Sequence, residues 1–359
     1  GRHASLHSPH ARVGGARGGA VTFNVTYVDV TTNTNVGFDD PAAGATRQAT
    51  LVAVLTYLNG ILNETTGASI DVTGAASETG GNGFLAFAGT YLTGVTGFSN
   101  GFCFQHITSG TDPNGSVEDV FVTVDFGFTW NSDTGPVGVG EYDLYTVLLH
   151  EITHGIGFLG LTDADGTSSI APGGNPGQYS RINQLTQLDD AGPIGTGSTT
   201  ALWTTASGAS FVGTPANLTS NRLVFTGTNA VAAYGGNPTI NSESPFVAGT
   251  SLGHWGDNLA SLAVMPGFVF TNVEFREYAP FEIGALVDIG YANASAGPPP
   301  TPDTDQDLLT DDVETDTGIY VSPTDTGSDP NDPDSDDDGV MGGIEVDLGT
   351  DPNNALDFP

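Results

Sequence analysis

The sequence predicts a mixed α/β (α+β) domain followed by a small acidic tail, and three observations carry that prediction. Val21 to Val30 alternates apolar and polar residues as a half-buried strand does, with Val21, Phe23, Val25 and Tyr27 on one face. Ala45 to Leu62 places Leu51, Val54, Leu55, Leu58 and Ile61 at helical spacing. Gly297-Pro298-Pro299-Pro300-Thr301-Pro302 is a stiff extended run, and beyond it residues 303–359 carry 18 acids and no base.

Taken in order, residues 1–20 form a flexible lead or propeptide remnant, with three arginines, three histidines and no acid. The strand and helix above follow. Residues 64–118, rich in Gly, Thr, Ser and Asn, read as short strands and loops. Val120 to Trp130 alternates again and predicts a strand. Glu141 to Gly155 predicts a helix with Tyr142, Leu144, Tyr145, Leu148 and Leu149 on its apolar side. Residues 160–250 resemble a long insertion of loops and strands, and Phe281 to Ile289 predicts a further helix. The resulting division is a lead at 1–20, a main domain at 21–297, a linker at 298–302 and a tail at 303–359. A cleft is expected between about 21–160 and 161–297.

Composition narrows the function. The 359 residues include 42 acids against seven arginines and no lysine, for a net charge of −35. Phosphate binding needs clustered Lys and Arg, so nucleic acid is excluded as a partner. No apolar run of membrane-spanning length occurs, so no membrane insertion is expected. The charge instead favours solubility and retention of divalent cations. Cys103 is the single cysteine, so no disulfide forms within the chain; it reads as a buried, inert thiol. Gly1 is not an initiator methionine, which points to a processed chain.

The chemistry concentrates at His150-Glu151-Ile152-Thr153-His154. Positions i and i+4 of a helix share one face, so both imidazoles can converge on one metal ion. Glu151 beside them can accept a proton from a water that zinc acidifies, and pass it to a leaving amine. Gly155 and Gly157 can end the helix directly afterwards. Catalytic zinc takes three protein ligands and keeps one position open, whereas closed structural sites favour four, often Cys. The residues leave the third ligand open among His254, His106 and Asp163. A compact form of such zinc motifs has its third histidine three residues after the motif's glycine, here Gly157, but position 160 is Gly160.

His150-Glu151-Ile152-Thr153-His154-Gly155-Ile156-Gly157-Phe158, a long insertion, His254-Trp255 and then Val264-Met265-Pro266 together resemble the leishmanolysin-like branch of the metzincins. The likeness runs through scattered blocks between about residues 120 and 292. It implies a metzincin-like fold with a twisted mixed sheet and an active-site helix. It also implies His254 as third zinc ligand, Met265 as the structural turn methionine, and zinc-dependent endopeptidase activity on protein or peptide substrates. Family members are often disulfide-rich, which this chain cannot be, and the resemblance does not extend to its N-terminal third.

In the tail, Asp303, Asp305, Asp307, Asp311 and Glu314 supply oxygens at positions 1, 3, 5, 9 and 12 of a calcium loop, with Leu308 in place of the usual glycine. Asp334, Asp336, Asp338 and Glu345 repeat the pattern with Gly339 in place. Gly349-Thr350-Asp351-Pro352-Asn353 echoes Gly327-Ser328-Asp329-Pro330-Asn331. The segment resembles thrombospondin type 3 calcium repeats, which implies Ca2+ beside Zn2+ and a secreted or cell-surface location. The expected function is therefore secreted peptide hydrolysis with Glu151 as general base. The alternative is an extracellular structural or adhesive protein that keeps a protease-like fold and self-associates or attaches to a surface through calcium.

Overall fold

The computed structural model describes residues 11–13, 20–29, 35–77, 84–133, 135–170, 173–190, 198–205, 208–295, 305, 307, 309, 311, 313–336, 338, 340 and 342–357. Most of the lead, Val30, the 298–302 linker and Asp303 lie outside them. The chain divides into two compact units, Gly1–Ser295 and Ala296–Pro359.

The first unit is a mixed α/β structure. Its sheet contains β1 (Ala11–Val13), β2 (Thr22–Asp29), β3 (Ser69–Ser77), β4 (Ala86–Thr90) and, beyond a short β5 (Gly97–Phe98), β6 (Val120–Asp125). The strand order is β1-β2-β3-β6-β4. The β2–β3 and β3–β6 pairs are parallel, and β4 runs antiparallel to β6 at the sheet edge. The alternation in β2 has the anticipated outcome: Val21, Phe23, Val25 and Tyr27 are buried. Helix α1 (Gly44–Leu62) buries Leu51, Val54, Leu55, Leu58 and Ile61, and ends at Asn63, whose left-handed backbone (φ 48°) closes it.

Three boundaries differ from the sequence reading. Residues 64–118 contain, besides β3, β4 and β5, an unanticipated helix, α2 (Phe102–Ser109), which buries Cys103, His106 and Ile107. Its eight residues sit between Gly101 and Gly110, too short to stand out as a periodic pattern. The strand expected over 120–130 stops at Asp125, because the Asp125 carboxylate accepts the Gly127 N–H (2.9 Å) and turns the chain. It resumes as β7 (Trp130–Asn131), which pairs with β8 (Tyr142–Asp143).

The third difference is the start of helix α3, which spans Leu144–Gly155 rather than beginning at Glu141. Asp143 is its N-cap and accepts from Thr146 N (3.0 Å) and Thr146 Oγ1 (2.6 Å). Ten of its residues are buried, including Leu144, Tyr145, Leu148, Leu149 and Ile152. Gly155 packs directly on Val120 of β6; a Cβ there would meet Val120 Cγ1 at 2.6 Å.

The region 160–260 is built from small pieces. β9 (Gln178–Tyr179) pairs with β5, and Thr186–Asp189 lies between Thr199–Ala201 and Leu223–Phe225. Two short helices, α4 (Arg181–Leu185) and α5 (Thr228–Tyr234), were not anticipated. Helix α6 (Pro280–Ile289) follows the sequence reading closely. Trp255 is fully buried and meets Phe158, Phe225 and Phe281 with ring centroids 5.0, 5.6 and 5.2 Å away. This aromatic cluster joins the segment after α3, the insertion and α6.

In the second unit the two sequence echoes fold alike. Gly327 (φ 73°) and Gly349 (φ 84°) are both left-handed. The backbone N–H of Asn331 meets Asp329 Oδ1 at 3.0 Å, and that of Asn353 meets Asp351 Oδ1 at 3.0 Å. Helix α7 (Gly342–Leu348) carries Glu345.

Candidate metal centres

Helix α3 carries His150 and His154 one turn apart, and a loop 100 residues later brings His254 to them. Nε2 of His254 lies 3.1 Å from Nε2 of His150 and 3.1 Å from Nε2 of His154. The opposite ring nitrogens are all committed to backbone carbonyls: His150 Nδ1 to Val264 O (2.8 Å), His154 Nδ1 to Phe158 O (2.7 Å) and His254 Nδ1 to Thr250 O (2.8 Å). Each Nδ1 therefore keeps the proton and donates it, which leaves three Nε2 lone pairs facing one another.

Burial holds these rings neutral. It pushes His150 down to about 3, with the neighbouring His154 adding to the effect. It likewise lowers His154 and takes His254 well below the usual histidine range. Three neutral lone pairs this close repel unless a cation lies between them. Zinc–nitrogen bonds in a tetrahedral site set ligand nitrogens about 3.3 Å apart. The donor set and its spacing thus fit zinc, with the outer ring nitrogens anchored as metal-binding histidines require.

Local sequence explains how the ring partners arrive. Gly157 adopts φ 115°, which reverses the chain after α3 so that the Phe158 carbonyl returns to His154. Gly160, where the compact pattern has histidine, lies against the loop that carries His254: a Cβ on it would come within 2.6 Å of Gly253 N. The missing side chain admits the backbone that delivers the substitute ligand. Leu252 in that loop is itself left-handed (φ 67°), a strained choice for a branched side chain.

Glu151 is half-buried beside the histidines, and its Oε2 accepts the backbone N–H of Ala88 (3.0 Å). Burial pushes its carboxyl up to about 7, opposed by that hydrogen bond. Ala88 lies in the edge strand β4. Leu85 O accepts from Asp125 N, so Leu85, Phe87 and Gly89 face β6 while Ala86 and Ala88 direct their backbone groups outward. The carboxylate thus sits at an open strand edge.

The other candidates separate. His106 is buried against Asp119, with Nδ1 at 3.0 Å from Oδ1, and Asp163 is exposed; neither belongs to the histidine cluster. Met265 is fully buried, and its carbonyl accepts from Trp255 N (2.8 Å). Cys103 is fully buried, and burial pushes its thiol well above the usual range.

In the second unit, carboxylate oxygens of Asp305, Asp307 and Glu314 lie within 4.8 Å of one another, as do those of Asp334, Asp336 and Asp338. Asp305 Oδ2, Asp336 Oδ2, Asp338 Oδ2 and both oxygens of Glu345 are buried and, among the described residues, accept no hydrogen bond. Burial, then the charges of Asp336, Asp338, Asp334 and Asp351, pushes Glu345 up to about 7. Burial also raises Asp305, with Asp311 and Asp329 adding charge to the same locality. Buried carboxylate oxygens crowded in this way fit a hard cation with oxygen ligands.

Sequence reasoning missed the carbonyls of Val264, Phe158 and Thr250, the Ala88 amide and the Gly160–Gly253 contact. It also missed Glu282, which accepts hydrogen bonds from Trp255 Nε1, Val264 N and Met265 N at 3.0 Å. Pro280 at the first turn of a helix with Glu two residues on was a readable sign that Glu282 caps α6.

Compared with known proteins, the chain matches no family model, no curated protein and no solved structure. No helix among the described residues is long and apolar enough to cross a membrane.

Proposed function

We propose that this chain is a secreted zinc-dependent endopeptidase of the leishmanolysin-like metzincin type with a calcium-binding tail. The observation that carries the reading is the convergence of three neutral imidazoles beside a carboxylate that faces an open strand edge. His150, His154 and His254 would hold zinc, which supplies a Lewis acid for a peptide carbonyl and acidifies water toward a pKa of about 7.

The remaining steps belong to the chain. The outward backbone groups of Ala86 and the Ala88 carbonyl on β4 can pair with an extended peptide as an added strand, and the Ala88 N–H, held by Glu151, places that carboxylate beside the peptide backbone. Glu151 takes a proton from the attacking water at a carboxylate oxygen and returns it to the leaving amine. The clusters at Asp305–Asp307–Glu314 and Asp334–Asp336–Asp338, with Glu345 near the second, would bind calcium and order the tail by offsetting its like charges. Such sites suit the calcium of extracellular surroundings.

The test is casein cleavage by the parent and by Glu151→Ala, both loaded with zinc and calcium and both checked for metal content. Cleavage by the parent alone, with equal zinc in both, supports peptidase action. A zinc-loaded parent that leaves casein and a panel of unstructured peptides intact removes the reading and favours the structural or adhesive alternative.

A further inference from the structure

We infer that Glu282, 28 residues beyond the last histidine of the cluster, is a positioning residue for the metal site: through one peptide plane and one indole it fixes the carbonyl that orients His150 and the residue that follows His254. The inference rests on the zinc reading above.

Glu282 is 2% exposed, and its carboxylate accepts four N–H donors. One, Ala279 N (3.0 Å), belongs to ordinary capping of α6. The other three come from the chain that packs on the histidines. Val264 N and Met265 N donate at 3.0 Å, and Trp255 Nε1 donates at 3.0 Å. Capping alone accounts for none of these.

The peptide between Val264 and Met265 explains their purpose. Its C=O and N–H point in opposite directions from one rigid plane. Met265 N–H is held by Glu282, so Val264 O is aimed the other way, at His150 Nδ1 (2.8 Å). Metal-binding histidines commonly donate their outer N–H to a carboxylate, which fixes the ring and raises its basicity. Here the carboxylate acts on His150 across an intervening peptide. The same group holds Trp255, whose backbone N–H bonds Met265 O (2.8 Å), so the loop beside His254 is tied to the same anchor.

A matched control lies on the same helix. Asp288 accepts from Asn229 N (3.0 Å), Asn229 Nδ2 (2.7 Å) and Ala230 N (2.9 Å), so it joins α6 to α5, and among the described residues none of these bonds goes to the histidine loops. Metal-depleted parent, Glu282→Gln and Asp288→Asn are compared by thermal midpoint without metal and by zinc affinity in competition with a chromogenic chelator. The carboxamide loses the negative charge that acts on His150 across the peptide and, with its oxygen at the Oε1 position, turns an N–H2 toward Val264 N and Ala279 N, so Glu282→Gln is expected to bind zinc about 10–100-fold more weakly. Asp288→Asn is expected to lose thermal stability and keep the parent zinc affinity.

Parent-like zinc affinity in Glu282→Gln overturns the inference while leaving the zinc site standing. Equal weakening in Asp288→Asn also overturns it, since the effect would then be general loosening of α6. If Glu282→Gln does not fold, Trp255→Phe carries the test: it keeps the carboxylate and the aromatic packing and deletes one donor, for an expected loss of about tenfold, the low end of that range. Unchanged affinity there has the same overturning force. A parent that takes up no zinc removes the metal reading itself, and this inference with it.

Discussion

Arg276 and Asp143 form a two-pronged ion pair across 133 residues of chain, with Arg276 Nη2 at 2.8 Å from Asp143 Oδ1 and Nε at 3.1 Å from Oδ2. Asp143 is fully buried and is also the N-cap of α3, while Arg276 adds a bond to Gly135 O (2.8 Å). The guanidinium therefore ties the segment after Met265 to the start of the helix that carries His150 and His154. It is one of seven positive side chains in a chain with 42 acids.

Removing that arginine leaves a buried carboxylate without its counter-charge. Arg276→Ala is expected to lose about 3–5 kcal/mol of stability, measured by urea unfolding. Arg276→Lys should recover part of it, because an ammonium supplies charge without the paired geometry. A loss below about 1 kcal/mol for the alanine variant would place the pair among surface contacts of little weight.

Gly160→Ala tests the close approach of two backbones. The added methyl meets Gly253 N and the Leu252 carbonyl carbon at 2.6 Å, and backbone cannot turn aside as a side chain can. A stability loss of about 1–3 kcal/mol is expected. Because Gly253 precedes His254, zinc affinity should fall as well, read by chelator competition. A variant with parent zinc affinity would show that the loop shifts without moving the imidazole.

Calcium binding by the tail is tested by Asp336→Asn and Glu345→Gln in the full chain. Both residues bring buried oxygens that, among the described residues, accept no hydrogen bond. Each variant should weaken the second cluster by about tenfold, following ligand charge, and leave the first intact in calorimetric titration. Equal heats and stoichiometry in parent and variants would remove these residues from any calcium site.

How much was legible in the sequence follows from the range of each interaction. His150 and His154 are four residues apart on one helix, so their convergence could be read directly. β2 and α1 showed their burial through periodicity, because each presents one face to a continuous core. The Asp143 cap was readable too, three residues before Thr146, yet the apolar spacing from Tyr142 onward masked it. By contrast, α2 and α5 have eight and seven residues, less than the pattern needs to repeat. Convergence of His254 spans a sequence separation of 100, and nothing local encodes it. The partners of Glu151 and His150 are backbone groups of Ala88 and Val264, to which residue identity is silent.

The 100-residue excursion between His154 and His254 also sets an order of events. Sheet, α1 and α3 consist of earlier chain and can form while the insertion is still unfolded. At that stage two imidazoles share a helix face, and the third is absent. Only when the insertion has packed, with Trp255 seated among Phe158, Phe225 and Phe281, does the full donor set exist. On the proposed zinc reading, tight metal uptake would certify that the insertion has packed.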